Sequence, residues 1–416
     1  MAQIQFAEVL DFERGTEVNA GDTPINRMLR AIRNHLGMDV AFASRATASE
    51  IVIEHADMVE NGPFKVGDAF PIEDGYCKRI IDGRIPHLIT DTSKVEEVAE
   101  LECTRSIPVG AHMSVPLRLR DGRVYGTFCC FSFNPDRSLN QRDLQMLGAF
   151  AELAAGQIDD QLKEERESKE TADRISGIIG NGGLSIVYQP IHHIATRRVV
   201  GVECLSRFPD WERRPPSDWF EEGAEVGLGV ELEIAAINAA LRGLPYLPTE
   251  AYLAVNVSPA TVLSGRLDKL LREQPSGRIV LELTEHAAIA DYHALAEALA
   301  PMRERAKLAI DDVGAGYAGM RHILDLKPDT IKLDMSLVRD IDKDPARRAL
   351  AVALVDFAAG IGSEIVAEGV ERIGELEALA SLGVHMAQGY YLSRPMPLMA
   401  ARNFMLGDRP QTDHRS

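Results

Sequence analysis

Apolar residues at Ile25, Met28, Leu29 and Ile32 recur at three- and four-residue intervals, which predicts an amphipathic helix. The spacing then changes. Runs at 40–44, 50–55, 112–120 and 124–133 carry the apolar and β-branched residues of strands, and the last two flank Asp121-Gly122-Arg123. Asp-Gly between two such runs is a hairpin signal. A second helical stripe, with Leu144, Leu147, Phe150, Ala151 and Leu153, covers residues 140–158. Helix, strands, hairpin and helix together describe an α+β unit. The charged segment "DDQLKEERESKETADR" at 159–174 has no Gly or Pro and should prolong the helix as a joint, after which Gly177, Gly180, Gly182 and Gly183 are expected to loosen the chain.

Beyond the joint the pattern repeats. A short apolar run ends in an acidic or amide residue and a helical stretch follows: "VVGVE" ends at Glu203, "YLAVN" at Asn256, "RIVLE" at Glu282, "KLAIDD" at Asp311 and Asp312, "TIKLD" at Asp334, "EIVAE" at Glu368 and "VHMAQ" at Gln388. Most of these runs are separated by one strand plus one returning helix, the period of a parallel βα barrel. The fold class is therefore α/β, a TIM-like barrel preceded by a smaller α+β domain. The expected boundaries are an N-terminal segment 1–22, a first domain 23–158, a helical linker 159–178, a barrel 179–408 and a tail 409–416.

A chain of 416 residues, 45% apolar and 26% charged, has the length and composition for two globular cores. The apolar stretch at 349–361 is interrupted by Asp356 and is too short to span a bilayer. Residues 1–11 lack the basic-then-apolar order of an export signal, so the cytoplasm is the expected compartment and no membrane span is expected. Five cysteines without metal-ligand spacing read as reduced thiols, and Cys129 and Cys130, adjacent on a strand, would face opposite sides. A net charge of −18 argues against a general nucleic-acid surface. A small anionic substrate would have to be received by bound cations and a few Arg or Lys side chains.

The strand ends carry the candidate chemistry. In a βα barrel the carboxyl ends of the strands meet at one mouth. Glu203, Glu282, Asp311, Asp312 and Glu368 would converge there, and so many carboxylates raise one another's pKa unless cations join them. An all-oxygen set that includes Asn256 selects hard ions such as Mg²⁺ or Mn²⁺, and the Asp311-Asp312 pair suggests two of them. Two such ions clamp the attacking and leaving oxygens of a phosphoryl displacement. The residues alone thus point to a metal-dependent hydrolase of a phosphate ester.

The motifs of the second half resemble the EAL family of cyclic di-GMP phosphodiesterases. They are "YQPI" at 188–191, "ECLSR" at 203–207, "NVS" at 256–258, "ELTE" at 282–285, "DDVGAGYAG" at 311–319, "IKLD" at 331–334, "AEGVE" at 367–371 and "QGYYLSRPM" at 388–396. The resemblance implies that Glu203, Asn256, Glu282 and Asp311 hold one metal while Asp311, Asp312 and Glu368 serve the second. It implies that Lys332 orients or deprotonates the attacking water, that Gln388 orders the same site, that Glu285 braces the loop after Asp312, and that Gln189 and Arg207 meet cyclic di-GMP. Hydrolysis of one phosphodiester to linear pGpG and a homodimer are further expectations from the resemblance. Cys204 stands at the family's signature alanine, Val313 where an aromatic is usual and Ala318 where Ser is usual.

The first half resembles the GAF family of small-ligand sensors through "GYCKRIIDGRIPHLITDT" at 75–92 and "GAHMSVPLRLRDGRVYGTFCCFSF" at 110–133. That family takes varied ligands or none, so the small molecule, if there is one, stays open, and Cys77 and His112 read as packing residues. His192 and His193, after "YQPI", are expected at the surface of an opening hairpin, and Trp211 and Trp219 in a packed excursion. Two other readings remain: a catalytically silent cyclic di-GMP receptor acting through a partner, and a barrel hydrolase for another phosphodiester.

Overall fold

The computed structural model describes residues 23–59, 62–209, 214–284, 289–314 and 318–407. The expected N-terminal segment and tail, Trp211 and Glu285 lie outside the described residues. The chain divides into two compact units, Met1–Glu167 and Ser168–Ser416.

In the first unit a helix, Pro24–Leu36, opens where the pattern predicts it. Thr23 caps its N-terminus by accepting from the Asn26 amide, Pro24 takes the first turn, and Gly37 at φ 64° closes it. The sheet is antiparallel with strands β1 (Val40–Ala46), β2 (Glu50–Met58), β3 (Ala69–Pro71), β4 (Leu88–Ile89), β5 (Ala111–Arg118) and β6 (Val124–Ser132), in the order β3-β2-β1-β6-β5-β4. Strands β3 and β4 were not expected, because two or three residues are too few to display alternation. Alternation along β6 builds two cores. Phe128 and Cys130 pack with Ile25, Leu29 and Ile32 of the first helix, whereas Cys129 and Phe131 pack with Phe42, Tyr76 and Ile80 on the opposite face. All five cysteines are free thiols.

One helix, Gln141–Asn181, continues for 41 residues through the charged segment and through Gly177 and Gly180. The two glycines therefore do not end it; Gly182, at φ 70°, follows its last residue. Each interior glycine costs a helix about 1 kcal/mol. Burial of Ile175 and Ile178 against Trp219 and Leu232 outweighs that cost.

In the second unit eight strands close a barrel: β7 (Ser185–His193), β8 (Val199–Arg207), β9 (Tyr252–Asn256), β10 (Ile279–Thr284), β11 (Ala306–Val313), β12 (Thr330–Leu333), β13 (Glu364–Ala367) and β14 (Met386–Ala387). Strands β8 to β14 are parallel as expected, but β7 runs antiparallel to both neighbours, so the opening hairpin is itself part of the wall. His192 consequently is buried rather than exposed, pairing with Ala387 and meeting the Phe404 ring edge-on at 5.9 Å. Among the described residues no helix is long and apolar enough to cross a membrane.

Candidate active site

Barrel strands β8 to β14 and the turns after them deliver the acidic and amide residues singled out above and Lys332. Glu203 lies inside β8, four residues before its end at Arg207, and not at a strand terminus as the run "VVGVE" suggested. The parallel ladder sets it beside Ala254 of β9, and sets Glu282 of β10 beside Asn256 and Ala309. Asp311 and Asp312 are consecutive, and on a regular strand their side chains would point to opposite faces. The pairing of β11 with β12 breaks register between Ile310 and Val313, and Asp312 takes φ 59°, a left-handed conformation uncommon for a non-glycine residue. That local strain coincides with both carboxylates joining one acidic group.

Glu368 and Gln388 follow β13 and β14, locked by backbone bonds: Glu368 N–H donates to the Leu333 carbonyl at 3.0 Å, and Gln388 N–H to the Ala367 carbonyl at 2.8 Å. Gly389 is required beside them, because a Cβ there would lie 2.2 Å from the Val370 backbone. Asp334, the polar residue ending "TIKLD", caps the helix Met335–Val338 by accepting from the Ser336 amide.

Lys332 sits at the centre, 1% exposed. Its Nζ is 2.7 Å from Glu368 Oε1, 3.0 Å from Glu282 Oε1, 3.0 Å from Asp311 Oδ2 and 3.8 Å from Glu203 Oε2. Burial alone would favour the neutral amine, but the four carboxylates outweigh it and hold the lysine well above its usual pKa. Desolvation acts the other way on the acids. Burial, reinforced by Glu203, Asp311 and Glu368 against the pull of Lys332, raises Glu282 well above the usual carboxylate range. Burial likewise lifts Glu368 to about 8. One ammonium thus leaves the acidic group short of positive charge.

The remaining contacts orient the donors. Gln388 Nε2 donates to Glu203 Oε2 at 2.6 Å, Asn256 Nδ2 donates to Glu203 Oε1 at 3.4 Å, and Asp311 Oδ1 accepts from the Asp312 amide at 2.9 Å. Two overlapping acidic sets result, Glu203-Glu282-Asp311 and Asp311-Asp312-Glu368, each with oxygens within 4.8 Å of one another. Glu282 Oε2 and Gln388 Oε1 are buried without a hydrogen-bond partner. Unpaired buried acceptors beside acids of raised pKa fit hard cations, because oxygen donors are what such ions bind. A third acidic set, Asp340, Asp342 and Glu375, differs in kind: Arg372 Nη2 lies 2.9, 2.9 and 2.7 Å from the three and supplies its positive charge.

A cavity of about 320 Å³ adjoins the acidic group through Asn256 and is also lined by Cys204, Arg207, Phe220 and Glu233. Arg207 ends β8 there. Gln189 stands opposite Glu203 in the β7–β8 ladder and donates to the Ser393 carbonyl at 3.2 Å. Glu233 was not singled out from the sequence. Its carboxylate accepts from the Ser258 amide and hydroxyl, both at 2.6 Å, and from the Thr261 hydroxyl, fixing the turn that follows Asn256. Its only trace in the sequence is one acid in the stretch Leu232–Leu241, where Asn238 is the other polar residue. Trp219 is buried as expected, stacked on Phe208 at 5.0 Å with the Arg214 guanidinium 4.3 Å from its ring.

Comparison with known proteins bears on both units. The profile of the GAF domain matches residues 23–159 and that of the EAL domain residues 172–395. Among curated proteins the chain is 31% identical over 239 residues to "Cyclic di-GMP phosphodiesterase PA2567" of Pseudomonas aeruginosa, covering 51% of this chain and 38% of that protein. It is 28% identical over 236 residues to "Probable cyclic di-GMP phosphodiesterase PdeD" of Escherichia coli, covering 53% and 43%. The chain thus spans less than half the length of these relatives. Among solved structures, the EAL domain protein of Listeria monocytogenes superposes with a TM-score of 0.51 at 23% identity, over 56% of this chain and 96% of that one, a likeness of fold. With more than half of its length matched by one profile and the smaller unit by the other, the chain belongs to the EAL domain family and carries a GAF domain ahead of its barrel.

Proposed function

We propose that the protein is a metal-dependent phosphodiesterase that opens one of the two phosphodiesters of cyclic di-GMP to give linear pGpG. The observation that carries this reading is the pair of oxygen sets sharing Asp311 around a buried lysine. Glu203, Asn256, Glu282 and Asp311 would hold one Mg²⁺ or Mn²⁺, and Asp311, Asp312 and Glu368 the other. Bound there, two hard divalent ions supply Lewis-acid charge and make a water molecule acidic near neutral pH.

The protein's own groups do the positioning. Lys332, within 2.7–3.8 Å of four carboxylates, is placed to orient an attacking oxygen or to take its proton. Gln388 and Asn256 fix the Glu203 carboxylate from two sides. Arg207 offers forked donors to a phosphate from the wall of the adjoining cavity, Gln189, opposite Glu203, would also meet the substrate, and Glu285 keeps its proposed role bracing the loop after Asp312. The further parts of the reading are a GAF unit that sets the rate, a homodimer, and action in the cytoplasm.

The test is to incubate the 416-residue chain with cyclic di-GMP and Mg²⁺ or Mn²⁺ and follow the linear product by chromatography. The expected result is metal-dependent product that Glu203→Ala loses. Tight binding without product would establish a silent receptor instead, and cleavage of other cyclic dinucleotides in preference would redirect the substrate.

A further inference from the structure

The first unit contains a cavity of its own, about 320 Å³, between the sheet face that carries Phe42, Ile53 and Phe131 and the helices Tyr76–Ile81 and Glu102–Ser106. It falls at the small end of the range for small-molecule pockets. Its walls are aromatic. Phe42 meets Phe64 edge-on with ring centroids 5.2 Å apart and Phe131 at 6.4 Å.

One polar group inside this wall is unsatisfied. His112 is 2% exposed, lines the cavity and has no hydrogen-bond partner at Nδ1. Its neighbour Tyr76, with ring centroids 4.4 Å apart, has a hydroxyl already engaged with Thr104 Oγ1 at 2.8 Å. Burial pushes the imidazole down to about 3, so at neutral pH it is an uncharged donor-acceptor. Asp74 and Glu102 also line the cavity, and among the described lining residues there is no Lys or Arg. An anion entering here would lose its hydration and meet carboxylates with no compensating cation. A neutral, flat molecule loses little and gains contact with the phenyl rings.

We infer that this cavity binds a small uncharged aromatic molecule bearing one hydroxyl or ring N–H, with its ring against Phe42, Phe64 and Phe131 and its polar group hydrogen-bonded to His112. The GAF resemblance leaves the ligand class open; the lining chemistry selects it and excludes phosphate-bearing nucleotides. The inference concerns binding in the first unit and stands independently of the reaction proposed for the barrel.

Calorimetric titration of the whole 416-residue chain tests it, with 4-methylphenol and indole as neutral probes, toluene as the probe without a polar group, and benzoate and cyclic AMP as anions. The expected result is saturable binding of 4-methylphenol or indole at one site per chain, at least about tenfold weaker binding of toluene, and no binding of the anions. Ile107→Trp, which fills the space, should abolish binding. His112→Leu should cost 4-methylphenol about tenfold and leave toluene unchanged. Should Ile107→Trp fail to fold, the His112 variant decides alone. No saturable binding of either neutral probe, tighter binding of an anion, or equal 4-methylphenol affinity in His112→Leu overturns the inference.

Discussion

Lys332 is the counter-charge of a buried acidic group, so its replacement leaves carboxylates facing one another. Lys332→Met should lower the unfolding free energy of the metal-free second unit by about 3–5 kcal/mol at pH 8. Urea denaturation followed by tryptophan fluorescence measures it, since both tryptophans belong to that unit. Glu368 gives the pH dependence. Its folded-state pKa, near 8, exceeds the ordinary 4.5, so its proton favours the fold below about 4.5 and that contribution is lost as pH rises through 8. Metal-free protein should therefore lose stability across this window, and saturating Mn²⁺, which displaces the proton, should flatten the slope of melting temperature against pH. Gln388→Ala should weaken metal binding by about 10–100-fold by freeing the Glu203 carboxylate, read as the Mn²⁺ concentration giving half the maximal thermal shift. Glu203, Asp311 and Asp312 were legible in the sequence because each sits at the end of an apolar run, whereas the same pattern singled out Asp334 in "TIKLD" and Lys332 was reached only through the family resemblance. Glu233 was not legible, because the Ser258 and Thr261 groups it binds are 25 and 28 residues away.

Apolar periodicity located the long elements and missed the short ones. β1, β2, β5, β6 and the first helix have enough residues to show their period, whereas β3 and β4 exist through their partners. The opening hairpin of β7 and β8 was anticipated, but the pairing of β7 with β14 that closes the barrel was hidden, since it depends on where the chain returns and not on local composition. The helix Gln141–Asn181 shows propensity overruled by burial. Added Cβ atoms at Gly177 and Gly180 meet nothing within 4 Å, so Gly177→Ala and Gly180→Ala should each stabilise the second unit by about 0.5–1 kcal/mol, measurable as a shift in urea midpoint at constant slope.

For the molecule as a whole, the same helix decides where the chain can be divided. Ile175 is fully buried against Trp219, and Arg174 Nη2 lies 2.7 Å from Glu222 Oε2, both within the second unit. A fragment of residues 168–416 should melt cooperatively. One starting at residue 177 loses both contacts and should be less stable by about 2–5 kcal/mol in the same denaturation experiment. Any comparison of hydrolysis with and without the GAF unit is therefore best made with the longer fragment. The internal lysine has a wider consequence. Because it supplies part of the missing charge itself, the barrel should fold without an ion, in contrast to small zinc modules that are unfolded until loaded. If the proposed hydrolysis holds, chelation should abolish it and leave the architecture standing, so that returning magnesium or manganese works as a reversible throttle.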